Sequence, residues 1–186
     1  MTLEMPAWVP HAADESALLV RLAKAGDNSA FERLVVEHER KVFLTALRML
    51  GQPADAQDAA QEVFLRLHRH LKRLDEARAV GPWLYQVTVN VCRDLLRRRR
   101  PLVDLEEVRE TLPSPEADAG RAEQRRLVVK ALAALPERER AALVLRDLEG
   151  LGTEEVARIL GSSEATIRSQ VAKARIKIQR MMRIRR

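Results

Sequence analysis

Residues 101–120 constrain the fold more than any other stretch of this chain. They hold Pro101, Pro113, Pro115 and Gly120, which interrupt or end helices. They also hold six acids (Asp104, Glu106, Glu107, Glu110, Glu116, Asp118) against one base, Arg109. By composition this is an acidic linker set between two basic neighbours. It divides the chain into two helix-rich blocks, 14–100 and 121–186, and residues 1–13 read as a flexible lead-in.

The expected class is all-α: two small helical domains joined by the acidic linker. Only 7 of 186 residues are glycine and aromatics make up 3%, while Leu, Ala, Arg and Glu, good helix formers, dominate. An apolar fraction of 46% is enough for packed cores. The net charge of +6 and pI near 10.1 favour a polyanionic partner, although many ordinary proteins carry as much. A lone Cys92 forbids an internal disulfide and fits a reducing compartment, the cytoplasm. No run of about 18 apolar residues exists, so no membrane insertion is expected. The N-terminus lacks the basic start and apolar run of a signal peptide.

Helical spacing and punctuation place the elements. Asp14 caps a helix to about 25, broken at Gly26-Asp27. A second runs over 29–50, with Phe31, Val35, His38, Val42, Ala46 and Met49 on its apolar side. Gly51 and Pro53 end it and start a third over 54–71; a polar loop leads to a fourth over 83–99. In the second block, helices are expected over 122–135, from Pro136 in a first turn to about 148, over 154–160 behind a Thr153 cap, and over 164–183.

The segment 153–179 has the layout of a helix–turn–helix: a short helix, a three-residue turn with Gly161, then a longer helix. Ile167, Val171, Ala174, Ile178 and Met181 give the longer helix one apolar stripe, with cations over its other faces. In a major groove, Thr166, Arg168, Ser169 and Ala172 would meet base edges, and later cations such as Lys173 and Arg175 would meet phosphates. The plainer alternative is a basic surface helix in a bundle.

The fourth helix carries two apolar rows and one narrow polar stripe: Trp83, Gln86, Asn90, Arg93 and Arg97. An aromatic, two amides and two guanidiniums suit unpaired bases and their backbone. A core helix with a solvated basic end accounts for the same residues equally well. On the third helix, Asp55, Asp58 and Glu62 share a face beside Gln61. That face is a docking surface for a basic partner, or simply a set of acids favoured by the helix dipole.

Four stretches together resemble the extracytoplasmic-function (group 4) sigma factors of the sigma-70 family. They are Asp55-Ala-Gln-Asp-Ala-Ala-Gln-Glu-Val-Phe-Leu65; Trp83-Leu-Tyr-Gln-Val-Thr-Val-Asn90 with Asp94-Leu-Leu-Arg97; Leu135-Pro-Glu-Arg-Glu-Arg140 with Leu148-Glu-Gly-Leu-Gly-Thr-Glu-Glu-Val-Ala157; and Ala165-Thr-Ile-Arg-Ser169 with Lys173-Ala-Arg175. The resemblance implies a sigma region 2 at 14–100 and a sigma region 4 at 121–186. It implies an alternative sigma factor that binds core RNA polymerase, recognises −35 and −10 elements and assists strand opening.

By that resemblance, Asp55, Asp58, Gln61, Glu62, Phe64 and Leu65 would dock on the beta-prime clamp coiled coil, with the beta flap as a second polymerase contact. Lys72, Arg73, Arg78, Trp83, Gln86, Asn90, Arg93 and Arg97 would take the −10 DNA. Thr166, Arg168, Ser169, Ala172, Lys173 and Arg175 would read the −35 DNA. Promoter DNA and an anti-sigma factor would be the other partners. The chain differs from the family's usual residues at Gln86, Thr153, Ala165, Gln170 and Ala172, differences that bear on base preference.

No catalytic residue, cofactor or metal is expected. His68 and His70 stand two apart on a helix and make a poor metal pair, and no phosphate loop or nucleophile motif occurs. The histidines His38, His68 and His70 read as surface or boundary residues. The rival reading is a polymerase-independent helix–turn–helix regulator, which leaves the acidic helix and the linker without a role. The charge contrast further suggests that the linker folds onto the cations at 97–100 or on the last helix in the free chain.

Overall fold

The computed structural model describes residues 12–75, 80–98 and 119–183. Among them the chain forms eight α-helices and no strand: α1 (Ala12–Lys24), α2 (Asn28–Leu50), α3 (Pro53–His70), α4 (Val80–Arg98), α5 (Ala119–Ala133), α6 (Glu137–Leu143), α7 (Thr153–Leu160) and α8 (Glu164–Arg183). A 3-10 turn, Leu71–Arg73, follows α3, and a π-helical turn, Val144–Leu148, extends α6. Residues 1–11 of the expected lead-in, residues 101–118 of the expected linker and the linker's suggested folding onto cations lie outside the described residues.

Local chemistry explains most boundaries. Asp27 adopts an extended conformation, and its carboxylate accepts the N–H groups of Ser29 at 2.9 Å and Ala30 at 3.2 Å. The Ser29 hydroxyl and these amides hold its carboxyl below the usual range. Gly51 ends α2 in the left-handed region at φ 81°, where its N–H donates to Leu47 O at 2.8 Å. Pro53 then opens α3, where the N–H it lacks would have no helical partner.

Several boundaries differ from the sequence expectation. Helix α1 begins at Ala12, so Asp14 lies inside it and does not cap it, and the lead-in is shorter than 1–13. Helix α4 begins at Val80, not Trp83, because Val80 is buried at its start and Pro82 is tolerated in a first turn. Helix α5 begins at Ala119, which takes the last two residues of the expected linker into a helix. Pro136 is an N-cap residue and not a first-turn residue. Gly152, not Thr153, occupies the cap before α7; the Thr153 hydroxyl instead accepts from Arg146 Nε at 3.3 Å.

Helices α1–α4 form an N-terminal unit around Val20, Leu34, Met49, Val63, Leu67 and Val89, all nearly or wholly buried. Helices α5–α8 form a C-terminal unit around Leu132, Leu145, Val156 and Ile167. Each such side chain contributes about 1.5–3 kcal/mol by leaving water. The apolar cluster runs on from one unit into the other, with α2 against α5 and α4 against α7.

A buried arginine closes the seam. Arg140 donates to Met49 O at the end of α2, to Ala133 O at 2.5 Å and to Leu135 O at 3.0 Å. It thereby satisfies carbonyls that a helix end leaves without partners. His38 corrects an expectation: it is buried, not a surface or boundary residue, and burial lowers its pKa.

Candidate nucleic-acid interface

Helix α8 is positioned by its apolar stripe. Ile167, Val171 and Ala174 are buried, with Ile178 and Met181 packed at the edge of the core. The Ser163 hydroxyl accepts the Thr166 N–H at 3.2 Å and steadies the first turn. The turn before it depends on Gly161, left-handed at φ 60°, which caps α7. With that stripe held, Thr166, Arg168, Ser169, Ala172, Lys173 and Arg175 are all exposed. Two of these cations already have partners. Arg168 pairs with Glu164 one turn earlier at 3.0 Å, and Arg175 makes a two-pronged pair with Asp147 at 2.7 Å. The Asp147 pair raises the pKa of Arg175 and orients its guanidinium toward the π-helical turn.

Helix α4 presents the second surface. Gln86, Asn90 and Arg97 are exposed, and Trp83 and Arg93 are half-buried. The Trp83 ring stacks on His70, with centroids 5.3 Å apart and planes at 11°. That stack brings the end of α3 to the start of α4. Lys72 and Arg73, exposed on the intervening 3-10 turn, therefore lie close to the aromatic end of the stripe. Arg97 pairs with Asp94 on its own helix. Arg93 pairs with Glu137 Oε1 at 2.7 Å, across the seam at the start of α6. Arg78 lies outside the described residues.

Helix α3 offers an acidic face. Ala56, Ala59, Val63 and Leu67 point into the core, and Phe64 packs against it. On the other side Asp58 and Gln61 are exposed, and Leu65 is 51% exposed. Glu62 is half-buried and accepts from Arg66 Nε at 2.8 Å. Asp55 is half-buried in the first turn, where a carboxylate favours the helix dipole.

One group of polar residues at the seam was not legible in the sequence. The Glu149 carboxylate accepts from Thr45 Oγ1 at 2.9 Å and Arg48 Nη1 at 2.5 Å through one oxygen. Its other oxygen accepts from the Tyr85 hydroxyl at 3.1 Å. Burial, then the adjacent Glu149 charge, raises the pKa of Tyr85, so the phenol stays protonated and keeps donating. No local spacing in the sequence links residues as far apart as Thr45, Tyr85 and Glu149.

Among the described residues, no group of three or more potential metal ligands converges, and no helix is long and apolar enough to cross a membrane.

Comparison with known proteins matches each of the two units to a known family. Sigma-70 region 2 matches residues 34–101, and the region 4 family matches residues 125–178. The ECF RNA polymerase sigma factor SigM of Mycobacterium tuberculosis H37Rv is 36% identical over 161 residues, covering 85% of this chain and 80% of the relative. The ECF RNA polymerase sigma-E factor of Escherichia coli K12 is 32% identical over 171 residues, covering 85% and 89%. Among solved structures, CnrH in complex with the cytosolic domain of CnrY superposes with a TM-score of 0.70 at 28% identity, covering 92% of this chain and 99% of that one. The sigma factor RpoE of Bartonella quintana, solved with the anti-sigma factor NepR, shares the fold at a TM-score of 0.70 and 21% identity, covering 84% and 98%.

Proposed function

The chain belongs to the extracytoplasmic-function sigma factors of the sigma-70 family, transcription initiation factors that act with RNA polymerase, and from that premise we propose how its own residues divide the work. One observation carries the assignment. Two separate polar surfaces with exposed cations, the α4 stripe and the first turns of α8, stand on units that match region 2 and region 4 respectively.

Residues 14–100 serve as the polymerase-docking and −10 unit. Asp58, Gln61, Glu62 and Leu65 meet a basic, partly apolar surface of core polymerase. Trp83, Gln86, Asn90, Arg93 and Arg97, with Lys72 and Arg73, take a strand whose bases have left the duplex. Aromatic stacking and guanidinium–phosphate contacts act together there. Residues 121–186 serve as the −35 unit, with Thr166, Arg168, Ser169 and Ala172 facing base edges, and Lys173 and Arg175 the backbone. Residues 101–120 tether the two.

Neither unit needs to grip DNA tightly alone. Polymerase holds both at a fixed separation, so two modest contacts act at high effective concentration. Opening is favoured because an extruded base finds contacts that a paired base cannot make. The chain itself contributes no bond-making step; its partners are core polymerase, promoter DNA and an anti-sigma protein, in the cytoplasm.

Run-off transcription with core polymerase on a matched promoter tests the reading. Transcripts are expected only when this protein is added. Transcript levels independent of it, together with tight duplex binding by the protein alone, would establish the polymerase-independent regulator instead.

A further inference from the structure

We propose that Asp147 is a specificity-determining residue of the −35 unit: it holds Arg175 in one direction with its charge balanced, so that this arginine favours DNA seated in the correct register over DNA met in any other. The inference rests on the −35 role proposed above for α8.

The geometry of the pair comes first. Asp147 lies on the π-helical turn, 28 residues before Arg175 on α8. Its two oxygens accept from Arg175 Nε and Nη2 at 2.7 Å each. A guanidinium carries five N–H donors, so the second Nη2 hydrogen and both Nη1 hydrogens are left over. The arginine can therefore lie on a phosphate without leaving its carboxylate. Its side chain is 62% exposed against 22% for Asp147, so the cation is the outer member of the pair.

The aspartate is itself held in place. Its neighbour Arg146 donates to Thr153 Oγ1 at 3.3 Å, at the start of α7. The π-helical turn is thus tied to both helices of the helix–turn–helix. Such turns are rare and collect at functional sites. This one closes through the Glu149 N–H on Val144 O at 2.9 Å. Asp147 and Arg175 both belong to the C-terminal unit, so the pair is complete within it.

The charge pattern of α8 supplies the other half of the argument. Lys177 pairs with Glu139 of α6 at 2.8 Å, and Arg168 with Glu164 at 3.0 Å. Lys173 is exposed and has no carboxylate partner among the described residues. Non-specific affinity for duplex DNA follows the net charge brought to the phosphates, and a balanced arginine adds little to it. A fixed direction helps only where a phosphate stands at the end of the guanidinium. Ordering a long side chain on binding costs a factor of about two to ten in affinity. Asp147 orders Arg175 before DNA arrives.

The test uses holoenzyme assembled from the full chain and core polymerase. Fluorescent promoter duplexes, matched or scrambled at the −35 element alone, are titrated between about 50 and 200 mM salt. Wild type should prefer the matched duplex. Asp147→Asn keeps the shape of the side chain and removes its charge; exposed ion pairs contribute little to stability, so the fold should persist. This variant should bind the scrambled duplex about eightfold more tightly near 0.1 M salt. The slope of log K against log salt should steepen by about 0.9, the effect of one further neutralised phosphate. On the matched duplex the lost orientation offsets much of that gain, leaving about twofold, so the preference should fall about fourfold.

Two further variants separate charge from structure. Asp147→Glu keeps the charge and should keep the wild-type slope. Arg175→Gln added to Asp147→Asn should restore it, whereas a merely structural role would move neither slope. An unchanged slope in Asp147→Asn, or an equal gain on both duplexes, overturns the role of Asp147. Absence of any wild-type preference for the matched −35 element overturns the −35 assignment of α8 itself, a result visible before any variant is made.

Discussion

Replacing Arg140 by methionine should destabilise the protein by about 3 kcal/mol, because charge-assisted hydrogen bonds contribute roughly 1.5–3 kcal/mol each. The side chain is 7% exposed and donates to three backbone carbonyls, those of Met49, Ala133 and Leu135. Among the described residues no carboxylate bonds to it, so its charge is offset there mainly by carbonyl dipoles at the ends of α2 and α5. Burial accordingly lowers its pKa, while the Glu137 charge acts the other way.

Methionine keeps the stem and its packing but supplies no donor. The gross loss is moderated in two ways. Ala133 is half-buried, so water can reach its carbonyl, and the guanidinium no longer has to be desolvated. The net falls at the low end of the range of about 3–5 kcal/mol seen when one partner of a buried charged contact is removed. With a urea dependence near 2 kcal/mol per molar, the midpoint drops by about 1.5 M. Circular dichroism at 222 nm against urea measures it directly. Arg140→Lys should fall between the two, since one ammonium cannot serve three carbonyls in a fixed fork. A midpoint for Arg140→Met within about 0.3 M of wild type would refute the claim that this guanidinium holds the seam.

Four further outcomes are expected. Reversing charge with Asp58→Lys and Glu62→Lys should abolish co-purification with core polymerase. It should shift folding stability by no more than about 0.5 kcal/mol, because only the surface pair with Arg66 is lost. Buried His38 has its pKa lowered from 6.5, chiefly by desolvation, so below pH 6.5 the unfolded chain takes up a proton that the native chain resists. Stability should be level above that pH, decline as pH falls from 6.5 toward the lower native value and level off below it, and His38→Gln should flatten the decline in urea titrations. Ser163→Ala should cost about 1 kcal/mol through loss of the first-turn bond of α8, read as a lower thermal midpoint. Cys92 is buried and its thiol is pushed up to about 12, so native protein should resist a thiol-specific dye that labels it at once in urea.

The helical class and the punctuation of the chain were legible because they rest on local chemistry. Gly51, Pro53 and Gly161 mark turns whose backbone only a few residues adopt, and α8 runs over the residues its spacing indicated. The exposed face of α8 followed from the same periodicity, since burying Ile167, Val171 and Ala174 leaves Thr166, Ser169 and Lys173 outside. The start of α4 was missed because Pro82 in a first turn resembles a loop residue until Val80 finds a core to enter.

The seam was not legible at all. Glu149 reads as one acid among 27 acidic residues, and Arg140 as one base among 33, until folding brings donors and acceptors together from distant parts of the chain. The spacing that identifies a helix face says nothing about which other helix it meets. Arg93 shows the consequence: the sequence places it on a DNA-facing stripe, and the structure gives it a carboxylate partner from the other unit.

The division of labour between the two units is tested most directly by site-specific photocrosslinking in the assembled transcription complex, with the probe placed at Asn90 on α4 or at Ser169 on α8. The account predicts crosslinks from Asn90 to the unpaired strand around −10, and from Ser169 to the duplex around −35, on the same promoter. Crosslinks from both positions to a single element, or from Asn90 to fully paired DNA alone, would contradict it.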